Sequence, residues 1–338
     1  MNPSKRKSVI TALAILGAAL ASVWSLGAIG LGIWQLSQFQ KSNLNAPNFA
    51  RVPDVATGVF NYGGSTSWAA LRLAVDSVIQ AERPEIQFRY VQPKNEPPGS
   101  SPGIKMLLEG KLAFVQSADA LDAREYELAE QQGLTLKQIP VAVDSIAVAV
   151  HPQLNLPGLT LEQLRQIYTG EISNWREVGA GIDLPITLYS RPPSTGDLVN
   201  QFKTKILQNQ QFSSEVEFVP TTTQALRKLD NNPGGIYYDS TAAMILQCTA
   251  KLLPLGLRSD ALVAPYRPPL VPSSQCPQKR NQLNVKALKT ARYPLTHYLY
   301  VVYVENEAES QIGRAYANFL LTPQGQNLIA KTGFVALD

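Results

Sequence analysis

From Gly58 onward, short runs of β-forming residues alternate with stretches whose apolar residues recur at helical spacing. Strand-like runs fall at 59–62, 86–91, 112–116, 145–150, 186–190, 217–219, 235–238 and 298–304. Helices are expected at 68–80, 103–109, 123–132, 161–168, 198–207, 222–229 and 311–320. Such alternation predicts an α/β architecture with mostly parallel sheets. No internal repeat interrupts it, and the Pro- and Ser-rich stretch 258–282 reads as a surface excursion. An apolar fraction of 45% with 17% charged residues is enough for a proper core.

The N-terminus obeys different rules. Lys5, Arg6 and Lys7 precede a stretch, 8–40, without a single charged side chain. As a helix, residues 9–36 would rise about 40 Å, enough to cross a hydrocarbon core of about 30 Å. The competing reading is a cleaved signal peptide, for which Ala19-Leu20-Ala21 would serve as the cleavage motif. Against it, the apolar run continues to Trp34, whereas a secretory core spans only about 7–15 residues. A transmembrane anchor within 1–41 is therefore expected. The basic cluster before it places the N-terminus in the cytoplasm and the rest outside. Residues 42–56, polar and Pro-interrupted, form a linker.

The net charge of +4 is scattered rather than striped, which argues against a nucleic-acid partner. Cys248 and Cys276 are the only cysteines, both on the exported side, where a structural disulfide is favoured. With only His151 and His297 beside them, no metal-ligand spacing appears, and no metal or other cofactor is expected. Both histidines sit in strand-like surroundings and read as structural.

Three places repeat one local design, a strand, a Gly/Ser/Thr loop and a helix start. They are Gly63-Gly64-Ser65-Thr66-Ser67, then Gly99-Ser100-Ser101-Pro102-Gly103, then Arg191-Pro192-Pro193-Ser194-Thr195-Gly196-Asp197. At such junctions the first backbone N–H groups lack intrahelical acceptors, and the helix dipole favours negative charge. Glycine lets a ligand approach the backbone, and each hydroxyl adds a donor. One loop alone is explained by capping. Three in one chain, one with Arg191 as a planar fork, point to an oxyanion. Asp119, after the strand-like Phe114-Val115-Gln116-Ser117, either caps the next helix or faces the anion. In the second role it would accept the proton that phosphate keeps at neutral pH and repel sulfate.

In these segments the chain resembles the PstS-like phosphate-binding proteins of ABC importers, over roughly 57–338. The likeness runs through 64–67, GSSPGIKMLLEG (99–110), QSAD (116–119), VAVDSIAVAVHP (141–152) and LTLEQLRQIYTGEISNW (159–175). It continues through LYSRPPSTGD (188–197), YPLTHYLYVVY (293–303) and YANFLLTPQGQNLIAKTGFV (316–335). The resemblance implies a type II periplasmic-binding-protein fold, two α/β lobes joined by crossing strands near 145–150 and 298–304. Lobe 1 would be 57–146 plus 299–338, and lobe 2 would be 147–298. It implies Thr66 and Ser67 as first-loop ligands, Ser100 in the second loop, Asp119 as acceptor of the phosphate proton and Arg191 as the guanidinium.

The third loop departs from the pattern. The family reads Arg-x-Asp-Gly-Ser-Gly-Thr, against Arg-Pro-Pro-Ser-Thr-Gly-Asp here. Without a gap, Thr195 takes the serine's place, Gly196 is kept, Pro193 replaces the aspartate and Asp197 replaces the threonine. With a one-residue gap, Ser194 becomes the donor instead. The change removes the acid that would orient Arg191 and puts one where a hydroxyl donor belongs. The expectation is thus a non-catalytic, membrane-anchored, periplasmic-side binding protein for phosphate or a similar oxyanion, serving an ABC importer permease. The alternatives are an anchored sensor, a binder of another anion, or a phosphate-ester hydrolase, for which no activated nucleophile or metal site is visible.

Overall fold

The computed structural model describes residues 46–305 and 310–337. The segment 9–36, expected to span a membrane, lies outside them. Among the described residues no helix is long and apolar enough to cross a membrane.

The strands are β1 (Gly58–Gly64), β2 (Ile86–Tyr90), β3 (Phe114–Ser117), β4 (Thr135–Val150), β5 (Leu159–Thr160) and β6 (Thr187–Ser190). After them come β7 (Glu217–Phe218), β8 (Gly235–Ser240), β9 (Lys251–Leu252), β10 (Leu255–Gly256) and β11 (Thr296–Glu305). The helices are α1 (Ala69–Glu82), α2 (Ser100–Leu108), α3 (Ala123–Gln131), α4 (Leu161–Thr169) and α5 (Asp197–Lys205). They continue with α6 (Thr222–Asp230), α7 (Thr241–Met244), α8 (Val285–Lys289), α9 (Ser310–Leu321) and α10 (Pro323–Lys331).

Helix boundaries follow local chemistry. Thr160 caps α4 with a reciprocal bond from Gln163, and Gly170, at φ +87°, stops it in the left-handed conformation. Asp122 and Glu125 make the same reciprocal box at α3.

One nine-stranded sheet runs in the order β2-β1-β3-β11-β4-β8-β6-β7, with β9 on β4, and β10 pairs with β5 in a second sheet. The expected mostly parallel sheet is corrected to a mixed one. β1 is parallel to β2 and β3, and β6 to β7 and β8. The two long connecting strands, β4 and β11, are antiparallel to each other and to their other neighbours. The strand expected at 145–150 is the second half of a strand beginning at Thr135. Its first half, through Ser145, pairs with β11, and its second half, from Ile146, pairs with β8. The chain thus passes from one half to the other at Asp144–Ile146 and returns at Thr296, opposite Ser145, a little before the expected crossing at 298.

Two lobes result, each with its own core. Around β1–β3, Ile104, Leu107, Leu112, Val115, Leu136 and Val302 pack together, beside a stack of Tyr62, Phe114 and Tyr316. Around β6 and β8, Val148, Ile167, Tyr168, Trp175, Phe202 and Tyr238 fill one face and Tyr237, Leu229 and Leu252 the other. β4 is buried continuously from Val141 to Val150, an apolar run broken only by Asp144 and Ser145. Cys248 and Cys276 form a disulfide, Cα to Cα 5.8 Å, within the second lobe.

Candidate functional site

The strand ends and helix starts converge on the line where the two lobes meet. A cavity of about 200 Å³ there is lined by Thr66, Ser67, Ala69 and Ala70 from one side, and by Arg191, Gly196, Thr222, Asp239 and Ser240 from the other. Phe334, from the C-terminal segment, closes one wall.

The first loop leaves β1 at Gly64 and turns through a single 3-10 turn, Thr66–Trp68, into α1. Its position is fixed from below. The Ser65 amide donates to the Gln116 carbonyl at 2.7 Å, and the Trp68 indole to the Ser117 carbonyl at 3.0 Å. The Asp76 carboxylate accepts from the hydroxyls of Tyr62 and Tyr316 and is pushed above its ordinary range by burial. This leaves Thr66 and Ser67 facing the cavity at a helix start, where backbone N–H groups gather.

The third loop leaves β6 at Ser190, whose hydroxyl is 2.8 Å from the Tyr238 hydroxyl. Arg191 follows. Its Nε is buried, lines the cleft region and has no hydrogen-bond partner among the described residues. A buried guanidinium N–H without an acceptor is costly unless something supplies one. Asp239, on the same cavity, does not. Its carboxylate accepts from the Tyr237 hydroxyl at 2.6 Å, from Thr222 and from the Ser240 amide at 2.7 Å.

The second loop and Asp119 lie beside the cavity, not on its wall. Ser100, buried at the first position of α2, does not line the cavity. Its amide donates to both carboxylate oxygens of Asp197 at 2.9 Å each, and its hydroxyl donates to Asp197 Oδ2 at 2.8 Å. Asp119 stands beside this pair. Its Oδ1 accepts from Gln201 Nε2 at 2.9 Å, and burial first, then the charge of Asp197, raises its carboxyl to about 6. Of the third-loop candidates, Ser194 is exposed, Gly196 is buried on the cavity wall, and Asp197 is buried at the start of α5. Thr195 lies in the short 3-10 turn Pro193–Thr195.

Cavity residues that went unmarked in the sequence include Thr222, Asp239 and Ser240. A signal for them exists. Tyr238-Asp239-Ser240-Thr241 repeats the strand, hydroxyl, helix design at the end of β8, with Ser240 capping α7 through the Ala242 amide. The two histidines stay out of the cleft. His297 faces Asp144 across the crossing strands, Nε2 to Oδ2 3.9 Å, and His151 follows β4 with Nδ1 accepting from the Gln153 amide. Among the described residues no group of three or more His, Cys, Asp or Glu is placed to hold a metal ion. What the cleft offers is donors: a guanidinium, the hydroxyl-bearing residues Thr66, Ser67, Thr222 and Ser240, and helix starts from both lobes.

This architecture has relatives. A family model described as a PBP superfamily domain matches residues 52–324. The phosphate-binding protein PstS of Pseudomonas aeruginosa is 23% identical over 348 residues, covering 98% of this chain and 95% of that protein. The phosphate-binding protein PstS of Bacillus subtilis is 29% identical over 163 residues, 46% of this chain and 48% of that protein. A solved substrate-binding protein from Clostridium perfringens with bound phosphate matches with a TM-score of 0.63 at 24% identity, over 83% of this chain and all of that one. The chain therefore belongs to the PBP (periplasmic-binding-protein) superfamily, as a PstS-like, type II member of it.

Proposed function

We propose that this chain is a membrane-tethered, extracytoplasmic solute-binding protein that holds an inorganic oxyanion, phosphate foremost, in the Arg191 cleft for the permease of an ABC importer. The observation that carries the reading is the buried Nε of Arg191, without a hydrogen-bond partner among the described residues, on a small cavity lined from both lobes. An oxyanion supplies the acceptor that Asp239, already occupied, withholds, and a planar fork suits it. The names of the Pseudomonas and Bacillus relatives, and the phosphate bound to the clostridial protein, support phosphate as the anion.

Thr66, Ser67 and Gly196 line the cavity with Arg191 and meet the anion beside it, with Ser194 and Thr195 on the same loop as Arg191. Asp119, beside the Ser100–Asp197 contact rather than on the cavity wall, accepts the phosphate proton once the anion reaches the Ser100 end of the cleft. It is ionised at neutral pH, above its raised value of about 6, and would repel a fully deprotonated sulfate. Lobe 1 comprises 57–146 and 299–338 and lobe 2 comprises 147–298, which the separate cores and the passage at Asp144–Ile146 support. Residues 1–41 supply the anchor, with 42–56 as the spacer. Capture is by binding and closure, without catalysis or a cofactor.

The test is calorimetric titration of the full chain in detergent with phosphate, arsenate, sulfate and molybdate at several pH values. Saturable heat with phosphate, and at least tenfold weaker binding of sulfate, is expected. No heat with any oxyanion would overturn the proposal. The acid at position 197 favours one second reading, a receptor tuned to another oxyanion or to sensing, which molybdate or sulfate binding in preference to phosphate would support.

A further inference from the structure

Asp197 does something no hydroxyl in its place could do. Its carboxylate, carried by α5 of one lobe, lies at the N-terminus of α2 in the other, receiving the Ser100 amide on both oxygens and the Ser100 hydroxyl on Oδ2. This is how a helix N-terminus receives an external anion, and here the anion belongs to the chain. The backbone is arranged to admit it. A Cβ on Gly99 would fall 2.8 Å from Asp197 Oδ1, so a side chain there would push the carboxylate away. Gly196, at φ +122°, makes the sharp turn that starts α5 with Asp197.

A second point on the same helix face reinforces the first. Gln201, one turn after Asp197, donates from Nε2 to the Ala118 carbonyl at 2.8 Å and to Asp119 Oδ1 at 2.9 Å. Lys205, a further turn on and exposed, sits close enough to Asp119 for their charges to interact. Residues 197, 201 and 205 thus form one stripe of α5 laid on the second loop and the end of β3.

We infer that Asp197 is a built-in anion that occupies the α2 end of the cleft and clasps the lobes together, so that an incoming oxyanion must displace it to reach Ser100. The inference rests on the reading of the cleft as an oxyanion site. It extends that reading with a competitive step. A free anion and the Asp197 carboxylate repel each other and want the same donors, so the native residue weakens capture and makes it dependent on lobe opening.

Two measurements on the full chain in detergent test it. The first is the spin-label distance between Leu73→Cys on α1 and Leu257→Cys in the other lobe, both positions well exposed, with no phosphate added. The native cysteines are paired with each other. With Asp197→Thr, the distance distribution is expected to shift to longer separations. A distribution unchanged from that of the Asp197 protein would overturn the clasp, whatever phosphate does. The second measurement is phosphate affinity by calorimetry. Asp197→Thr is expected to bind at least tenfold tighter, and equal or weaker binding than in the Asp197 protein would overturn the competition. Asp197→Asn, of the same size, repeats both readings with the charge alone removed and gives the same directions should the threonine variant not fold. A longer distance in the variants with no phosphate bound by any of the proteins would uphold the clasp and remove phosphate as the ligand.

Discussion

Two buried ionisable groups at the crossing strands bear on stability rather than on the ligand. Burial raises the Asp144 carboxyl to about 7, against a lowering by the Ser240 hydroxyl, and depresses the His297 imidazole to about 3. Asp239 and Lys205 are their other charged neighbours. A carboxyl whose folded value lies above its unfolded one stabilises fully below about 4, and that contribution is lost as pH rises through about 7. The histidine works in the opposite sense, its contribution present above about 6.5 and lost as pH falls toward about 3. The two slopes largely offset between about pH 4 and 6.5. Asp144→Asn removes one of them. The difference in melting temperature, variant minus native, is therefore expected to climb as pH rises from about 4 to about 7, read by thermal melts across that range. A flat or falling difference would show that Asp144 is ionised in the folded protein throughout. The meeting of the two was not legible in the sequence, where both residues sit in apolar runs that say only that the strands are buried.

At the scale of elements, the junctions carry the function, and they can be probed one by one. Gly196→Ala would add a Cβ 2.9 Å from Thr66 Oγ1 at a φ that L-residues rarely adopt. Strain of this kind costs on the order of 1–3 kcal/mol, measurable by denaturant unfolding, and phosphate affinity should fall with it. Gly99→Ala keeps an extended backbone that any residue adopts but crowds the Asp197 carboxylate. It should leave stability within about 1 kcal/mol while shifting the interlobe distance in the same direction as Asp197→Thr. Wild-type distances in Gly99→Ala would mean that the carboxylate does not need that space.

These junctions were the most legible part of the molecule. All three Gly/Ser/Thr loops start helices, because caps and small residues act locally, but only the first and third follow directly on a strand, the second lying nine residues past the end of β2 at Tyr90. Less was visible where long-range pairing decides. The first half of β4 carries Lys137, Gln138 and Pro140, a poor strand pattern. Pro140 is accommodated at the register shift opposite Leu299 and Tyr300. α10 was missed although Thr322-Pro323 is a cap followed by Pro at the first turn, since Gly325 obscures the helical pattern. The acid at 197 was plain in the sequence, but its contact with Ser100, 97 positions away, was not.

For the whole molecule, what holds the second lobe together is separate from what holds the ligand. The Cys248–Cys276 disulfide closes a loop of 28 residues in the second lobe and touches none of the cleft residues named above. Its removal by Cys248→Ser with Cys276→Ser should lower stability by about 2–4 kcal/mol. Phosphate affinity should stay within about twofold, and a larger loss would tie that lobe's surface loop to the cleft. The central claim is that Arg191 receives the oxyanion. Equilibrium dialysis of the full chain against radiolabelled phosphate, native beside Arg191→Lys and Arg191→Met, tests it most directly. The account predicts one saturable site in the native protein, binding weakened at least tenfold in Arg191→Lys, which keeps a charge but loses the fork, and no measurable binding in Arg191→Met. Equal phosphate uptake by all three would contradict it.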